Sequence, residues 1–165
     1  MACKKDQIEA SISRTCLIRP MQRQDVPAVL AIEQRAYDYP WTKGIFNDCL
    51  RVGYYGFVVE REEVIVGYAL MNTVSDEAHV LNLCVELELR RQGIARILLE
   101  YIIDLAKELK AVSLFLEVRQ SNVAALALYH DYGFDELGVR RNYYPAAVGR
   151  EDAIMLVKQL DLQQM

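Results

Sequence analysis

Between residues 94 and 109 apolar side chains recur every three or four positions, at Ile94, Leu98, Ile102, Leu105 and Leu109, while Arg96, Glu100, Asp104 and Lys107 take the other side. That period predicts an α-helix with one face against a core. Its flanks constrain the fold further. The helix opens directly on Gly93, behind a charged connector over residues 86–92, and before the connector an apolar run from Ala78 to Val85 has the length of a strand. On the far side Val112 to Val118 is a second apolar run of strand length.

The remaining segments extend this alternation. Cys16-Leu17-Ile18-Arg19-Pro20 predicts a short strand stopped by proline, and Asp25 stands as N-cap to a helix with Val26, Val29, Leu30 and Ile32 on its apolar face. Tyr39-Pro40-Trp41 breaks that helix, and Thr42 caps a second one reaching about Leu50. Residues 55–60 and 64–74 are rich in β-branched and aromatic side chains and flank the charged turn Arg61-Glu62-Glu63, a hairpin pattern. Ser121 is placed to cap a helix through Asp131 that Gly133 ends, and strands are expected near residues 134–140 and 153–160. Strands, helix, strand, helix, strands in that order predict an α/β (α+β) fold with a mixed sheet and helices on its faces. Residues 1–16 are polar and aperiodic and read as an extension, residues 17–160 as one domain, and residues 161–165 as a tail.

Composition matters here for what it excludes. Nineteen Lys and Arg against twenty-three Asp and Glu leave a formal charge of −4, so there is no general basic surface for a nucleic-acid backbone, and the balance suits a basic partner better. Cys3, Cys16, Cys49 and Cys84 match no paired zinc-ligand or redox spacing and fit a reducing compartment. Nowhere do about eighteen apolar residues run together, and the expectation is a cytoplasmic protein with no membrane partner. His79 and His130 form no spaced metal motif, so no metal is expected.

The connector before the long helix carries the most chemistry. A turn that offers successive backbone N–H groups to a diphosphate needs glycine, because a side chain would block close approach, and Gly93 meets that need. The helix starting there adds its own unpaired N–H groups and the positive end of its dipole, and Arg90, Arg91 and Arg96 add charge. A solvated strand-to-helix turn has the same composition. The Gly-Lys-Ser/Thr of a P-loop and the three spaced glycines of a dinucleotide fold are both missing.

The pattern Arg90-x-x-Gly93-x-Ala95, after a strand and opening an amphipathic helix, resembles the coenzyme A pyrophosphate signature of the GNAT acetyltransferases. The resemblance covers roughly Ile18 to Leu160. Leu116-Glu117-Val118-Arg119, Ser121-Asn122, Ala127-Leu128-Tyr129, Tyr132-Gly133-Phe134 and Arg140-Arg141-Asn142-Tyr143-Tyr144 are similar to the bacterial ribosomal-protein-alanine N-acetyltransferase subfamily. It implies a mixed, mostly antiparallel sheet splayed at its centre with helices on both faces, and acetyl-CoA as acetyl donor. It implies that Arg90, Arg91, Gln92, Gly93, Ile94, Ala95 and Arg96 hold the pyrophosphate, that Leu83, Cys84 and Val85 present backbone groups to the acetyl and pantetheine portions, and that Asn122 touches the cofactor. Ala95 stands where the family often has a second glycine, Arg90 where glutamine is common, and Cys84 where a small residue is usual.

By the same resemblance Glu117 accepts the amine's proton, through water or directly, Tyr129 protonates the departing sulfur, and a strand-edge N–H near Val85 polarises the carbonyl. Taken alone, Glu117 is a strand-end carboxylate able to pair with Arg119, and Tyr129 a core aromatic. Trp41 and Tyr143 are candidates to hold the acceptor, or aromatic covers of a core. Cys84 could be imagined as an acyl-cysteine nucleophile, but it lies in an apolar strand and fits a buried small hydrophobe better. The implied acceptor is the basic N-terminal peptide of a ribosomal protein, small-subunit protein eighteen, modified on its alanine α-amine. A lysine or small-amine acetyltransferase and a non-catalytic coenzyme A module are the alternatives.

Overall fold

The computed structural model describes residues 15–161. Most of the expected extension and tail, and Cys3, lie outside the described residues. Those residues form seven strands and four α-helices, and hydrogen bonding links the strands in the order β1-β2-β3-β4-β5-β7-β6. Contacts group the described residues up to Met71 with Asn82–Ile102, and Asn72–Leu81 with the described residues from Ile103 onward. Among the described residues no helix is long and apolar enough to cross a membrane.

In the first unit β1 (Cys16–Pro20) pairs antiparallel with β2 (Tyr55–Arg61), which pairs antiparallel with β3 (Val64–Val74). The expected three-residue turn tightens to two, Glu62 and Glu63, both at positive φ (52° and 64°), the geometry that matches strand twist in a two-residue hairpin. Helix α1 (Val26–Ala36) buries Val26, Val29, Ile32 and Glu33. Asp25 does not cap it through its side chain, contrary to expectation. Its carboxylate instead takes two 2.8 Å bonds from the Arg19 guanidinium and one of 2.7 Å from the Gln22 N–H, charged partners that outcompete a neutral cap. Thr42 does cap α2 (Lys43–Arg51), accepting from the Ile45 N–H at 3.4 Å.

The second unit centres on β5 (Ser113–Arg119). It pairs in parallel with β4 (Glu77–Val85) from Glu77↔Ser113 to Val80↔Leu116, where that ladder ends, and antiparallel with β7 (Arg150–Gln159) from Ser113↔Gln159 to Arg119↔Ala153. β6 (Asp135–Pro145) is the edge strand, paired with β7 through irregularities at Glu136/Gly138 and Arg140/Tyr144. Helix α4 (Val123–Asp131) is capped by Asn122, whose Oδ1 accepts from the Ala125 N–H, and not by the expected Ser121. Ser121 gives its own N–H to Glu151 Oε1 at 2.7 Å, which sets the chain one residue further along before the helix can start. Gly133 ends the helix at φ 79°.

Helix α3 (Ile94–Glu108) runs through both groups of residues. Ile94, Leu98, Leu99, Ile102, Ile103 and Ala106 are buried, a broader stripe than the predicted one. Leu109 lies past the helix end and is 37% exposed, so it does not belong to the core face.

Candidate active site

In the first unit the chemistry is carried by main chain. β4 ends with Leu83 half-buried and Cys84 and Val85 buried, and the Glu86 N–H is held by the Val66 carbonyl at 2.8 Å. A Cβ on Gly67 of β3 would stand 3.0 Å from the Cys84 carbonyl oxygen, so glycine is needed there for the close approach of the two strands. This residue is absent from the sequence-based site. Its signal was an isolated glycine inside a strand pattern.

After a single 3₁₀ turn, Leu87–Leu89, Arg90 turns back and donates from Nε to the Val85 carbonyl at 3.3 Å. Arg91 and Gly93 both adopt positive φ, 63° and 86°, so the backbone folds into a concave turn just before α3. A non-glycine residue held there is mildly strained, a condition that accumulates at ligand-binding turns. Gln92 is fixed by the Arg61 guanidinium, which donates to its Oε1 at 2.9 Å. Ile94 is buried, and Ala95 and Arg96 are half-buried in the first turn of α3, whose opening N–H groups have no partner within the helix. Turn, dipole and arginines together fit a diphosphate.

The same unit holds a buried carboxylate not anticipated from sequence. Glu33, 2% exposed, accepts the Trp41 N–H at 2.8 Å, the Asn82 Nδ2 at 3.1 Å and a short bond from the Tyr68 hydroxyl. Trp41 packs its ring 5.4 Å from that of Phe46. Burial is the largest influence on Cys84 and raises its thiol pKa, with bonds from Tyr37 and Tyr68 opposing it. The sulfur therefore stays a thiol near neutral pH, a packed side chain and not a nucleophile.

In the second unit the chemistry is carried by side chains. Along β5 Leu114, Leu116 and Val118 are buried, which turns Phe115, Glu117 and Arg119 to the more open face. Glu117 Oε1 lies 2.6 Å from Arg140 Nε, and burial first, then the neighbouring Glu117, raise the Tyr143 hydroxyl pKa. Arg140 stacks over the Tyr143 ring at 5.6 Å. The register break between Arg140 and Tyr144 and the positive φ of Asn142 (52°) re-aim these aromatic side chains. Arg150 clamps the irregular stretch, donating to the Asn142 and Tyr143 carbonyls at 2.7 Å each.

Tyr144 packs edge-on to Tyr143, ring centroids 4.9 Å apart. Its hydroxyl pKa is raised, first by burial, then by the charge of Glu117, with Tyr129 a further contributor and Arg119 opposing. Arg119 stacks on the Tyr144 ring at 4.5 Å while donating to the Pro145 carbonyl at 2.8 Å and pairing with Glu151 at 3.2 Å, not with Glu117. Tyr129 is 7% exposed, its ring edge-on to Phe134 at 5.6 Å. Tyr143 and Arg119 are thus the side chains packed on the Tyr144 ring. Asn122 has its Oδ1 committed to capping α4. His79 stacks on Phe115, His130 lies 3.8 Å from Glu136, and among the described residues no group of three or more His, Cys, Asp or Glu is placed to hold a metal.

A profile of the Acetyltransferase (GNAT) family matches residues 21–134. The chain belongs to this family. Among its GNAT relatives is the ribosomal protein bS18-alanine N-acetyltransferase of Escherichia coli (strain K12), 39% identical over 145 residues, which cover 88% of this chain and 98% of that protein. The crystal structure of the ribosomal-protein-S18-alanine N-acetyltransferase from Escherichia coli superposes with a TM-score of 0.85 at 38% identity, covering 90% of this chain and 96% of that one. Ard1 from Thermoplasma volcanium matches with a TM-score of 0.81 at 25% identity over 88% of this chain and 98% of its own. The sheet of this chain, mixed and mostly antiparallel, is the GNAT sheet.

Proposed function

We propose that this protein transfers the acetyl group of acetyl-CoA to the N-terminal α-amine of a protein beginning with alanine, ribosomal protein bS18 being the acceptor. One observation carries the chemistry: Glu117 stands on the more open face of β5 with Arg140 Nε 2.6 Å from its carboxylate, in a family whose reaction needs a proton acceptor. The acceptor is supported by the names of the relatives and by their near full-length similarity.

Acetyl-CoA supplies the activated thioester. Main-chain amides around Arg91, Gly93 and the start of α3 hold its pyrophosphate, and the backbone of Leu83, Cys84 and Val85 lies along the acetyl and pantetheine portions. Glu117 accepts one proton from the attacking amine, directly or through water, as the carbon–nitrogen bond forms. Tyr129 gives a proton to the sulfur as the carbon–sulfur bond breaks. Trp41 and Tyr143 line the acceptor.

An α-amine asks less of a proton acceptor than a lysine does. With a pKa near 7.7–8.0, roughly a tenth is already neutral at pH 7, so the free amine costs about 1.4 kcal/mol or less. A lysine near 10.4 costs about 4.6 kcal/mol on the same scale. Arg140 beside Glu117 also keeps a cation where an incoming ammonium would otherwise be the sole counter-charge.

The test is mass spectrometry after incubation with acetyl-CoA and two basic peptides of one sequence, one with a free N-terminal alanine and one blocked there but carrying a lysine. A single acetyl on the free α-amine is expected. Modification of the lysine with the alanine untouched would overturn the assignment.

A further inference from the structure

Glu33 is the one position on the inner stripe of α1 where a charge replaces an apolar side chain. It follows Val26 by seven residues and Val29 by four, and all three are buried. A carboxylate taken out of water is costly unless bonds replace its hydration, and Glu33 recovers them from three neutral donors on three separate segments. Tyr68 donates from β3, Asn82 from β4, and the Trp41 N–H from the loop that follows α1. The main chain of Glu33 takes part as well, since its carbonyl accepts the Tyr37 N–H at 3.0 Å and so closes the helix. The loop from Tyr37 to Trp41 is therefore held at both ends by one residue.

A tether of this kind does little for the fold that an apolar residue would not do as well, because a buried ionic group seldom adds net stability over a packed hydrophobe. What it adds is a fixed offset. Asn82 immediately precedes Leu83, Cys84 and Val85, so the carboxylate that grips Asn82 also sets where the backbone of Trp41 stands beside that strand end.

We infer that Glu33 is a positioning residue for the acceptor: through its bonds to Asn82 and Trp41 it fixes the Tyr37–Trp41 loop against the end of β4 and so sets the register of an incoming amino terminus. The inference rests on the function proposed above, in which Trp41 lines the acceptor. Glu33 touches no substrate itself. Its amide isostere keeps the size but turns one acceptor into a donor, which then faces either the Trp41 N–H at the Oε1 position or the donors of Asn82 and Tyr68 at the Oε2 position, so the set of three bonds cannot be kept.

The experiment compares Glu33→Gln and Tyr68→Phe with the unaltered protein by backbone hydrogen exchange at Trp41, by steady-state kinetics with an alanine-starting basic peptide, and by acetyl-CoA calorimetry. In Glu33→Gln the Trp41 amide is expected to exchange, and the peptide KM to rise, by about tenfold or more, while the acetyl-CoA Kd stays within about twofold. Tyr68→Phe removes one donor and keeps the carboxylate, so both effects are expected in the same direction and smaller; it also answers the question should Glu33→Gln fail to fold. An unchanged Trp41 exchange rate overturns the tether. Faster exchange with an unchanged peptide KM overturns the role in acceptor positioning. A wild-type protein that leaves every α-amine peptide unmodified overturns the proposed function instead, and the exchange rates then judge the tether by themselves.

Discussion

Around Gly93 a concave turn of main chain is offered to a ligand, whereas around Glu117 the polar groups belong to side chains drawn from β5 and β6. The first region needs a shape: positive φ at Arg91 and Gly93, a helix that starts at once, and a Gly67 that lets β3 lie close to Cys84. The second region needs particular atoms. There the Arg140 guanidinium lies 2.6 Å from the Glu117 carboxylate, and Arg119 stacks on the half-buried Tyr144 ring. A backbone site tolerates substitutions that keep the turn, and a side-chain site tolerates almost none that change a functional group.

The sharpest way to break this contrast is Glu117→Gln. The substitution keeps volume and an oxygen to accept from Arg140 but removes the proton acceptor. kcat is expected to fall by about 10²–10⁴, the usual span for a general base, with the acetyl-CoA Kd unchanged. Retention of wild-type kcat in stopped peptide assays would take Glu117 out of the mechanism and leave it as a strand-end ion pair with Arg140.

The contrast also explains what the sequence makes legible. Gly93 announces itself because it sits between a strand pattern and a strongly periodic helix, and a local turn is a local property. The hairpin at Glu62-Glu63, the Thr42 cap and the helix stop at Gly133 are equally local, and the structure has them. Arg119 as partner of Glu151 in place of Glu117, with its guanidinium stacked on Tyr144, depends on an irregular edge strand over twenty residues away, which no window of sequence contains. The exchange of Ser121 for Asn122 as cap has the same origin, since both are cap formers and a distant carboxylate on Glu151 decides between them. Glu33 is different. A charged residue falling on the apolar stripe of α1 is visible as an exception to the periodicity, but its partners at positions 41, 68 and 82 appear only on folding.

A second test presses on the backbone side of the comparison. Gly93→Val places a β-branched residue at φ 86°, a conformation such a side chain adopts at a penalty of about 1–3 kcal/mol. If the turn is what holds the diphosphate, the acetyl-CoA Kd rises by about tenfold to a hundredfold, read by calorimetry, while kcat at saturating cofactor changes far less. An unchanged Kd in a folded variant would mean that the arginine side chains, not the main-chain amides, do the holding, and the two regions would then be alike.

The smallest expected effect concerns carboxylates that serve architecture alone. Asp25 is buried and held by the Arg19 guanidinium, first through their hydrogen bonds and also by charge, so its carboxyl titrates below the usual range. A depressed folded-state pKa contributes stability above the unfolded value near 3.9, and that contribution disappears as pH falls through the folded value. Asp25→Asn is therefore expected to lower unfolding stability by about 1 kcal/mol at pH 7, the scale of a hydrogen bond to a charged group partly open to solvent. Below about pH 4 the gap between variant and wild type should close, and kcat at neutral pH should not move. Denaturant titrations at several pH values measure the first, peptide turnover the second. A fall in kcat without a fall in stability would show that a carboxylate in the first region takes part in chemistry, and the division of labour between backbone and side chain would have to be redrawn around it.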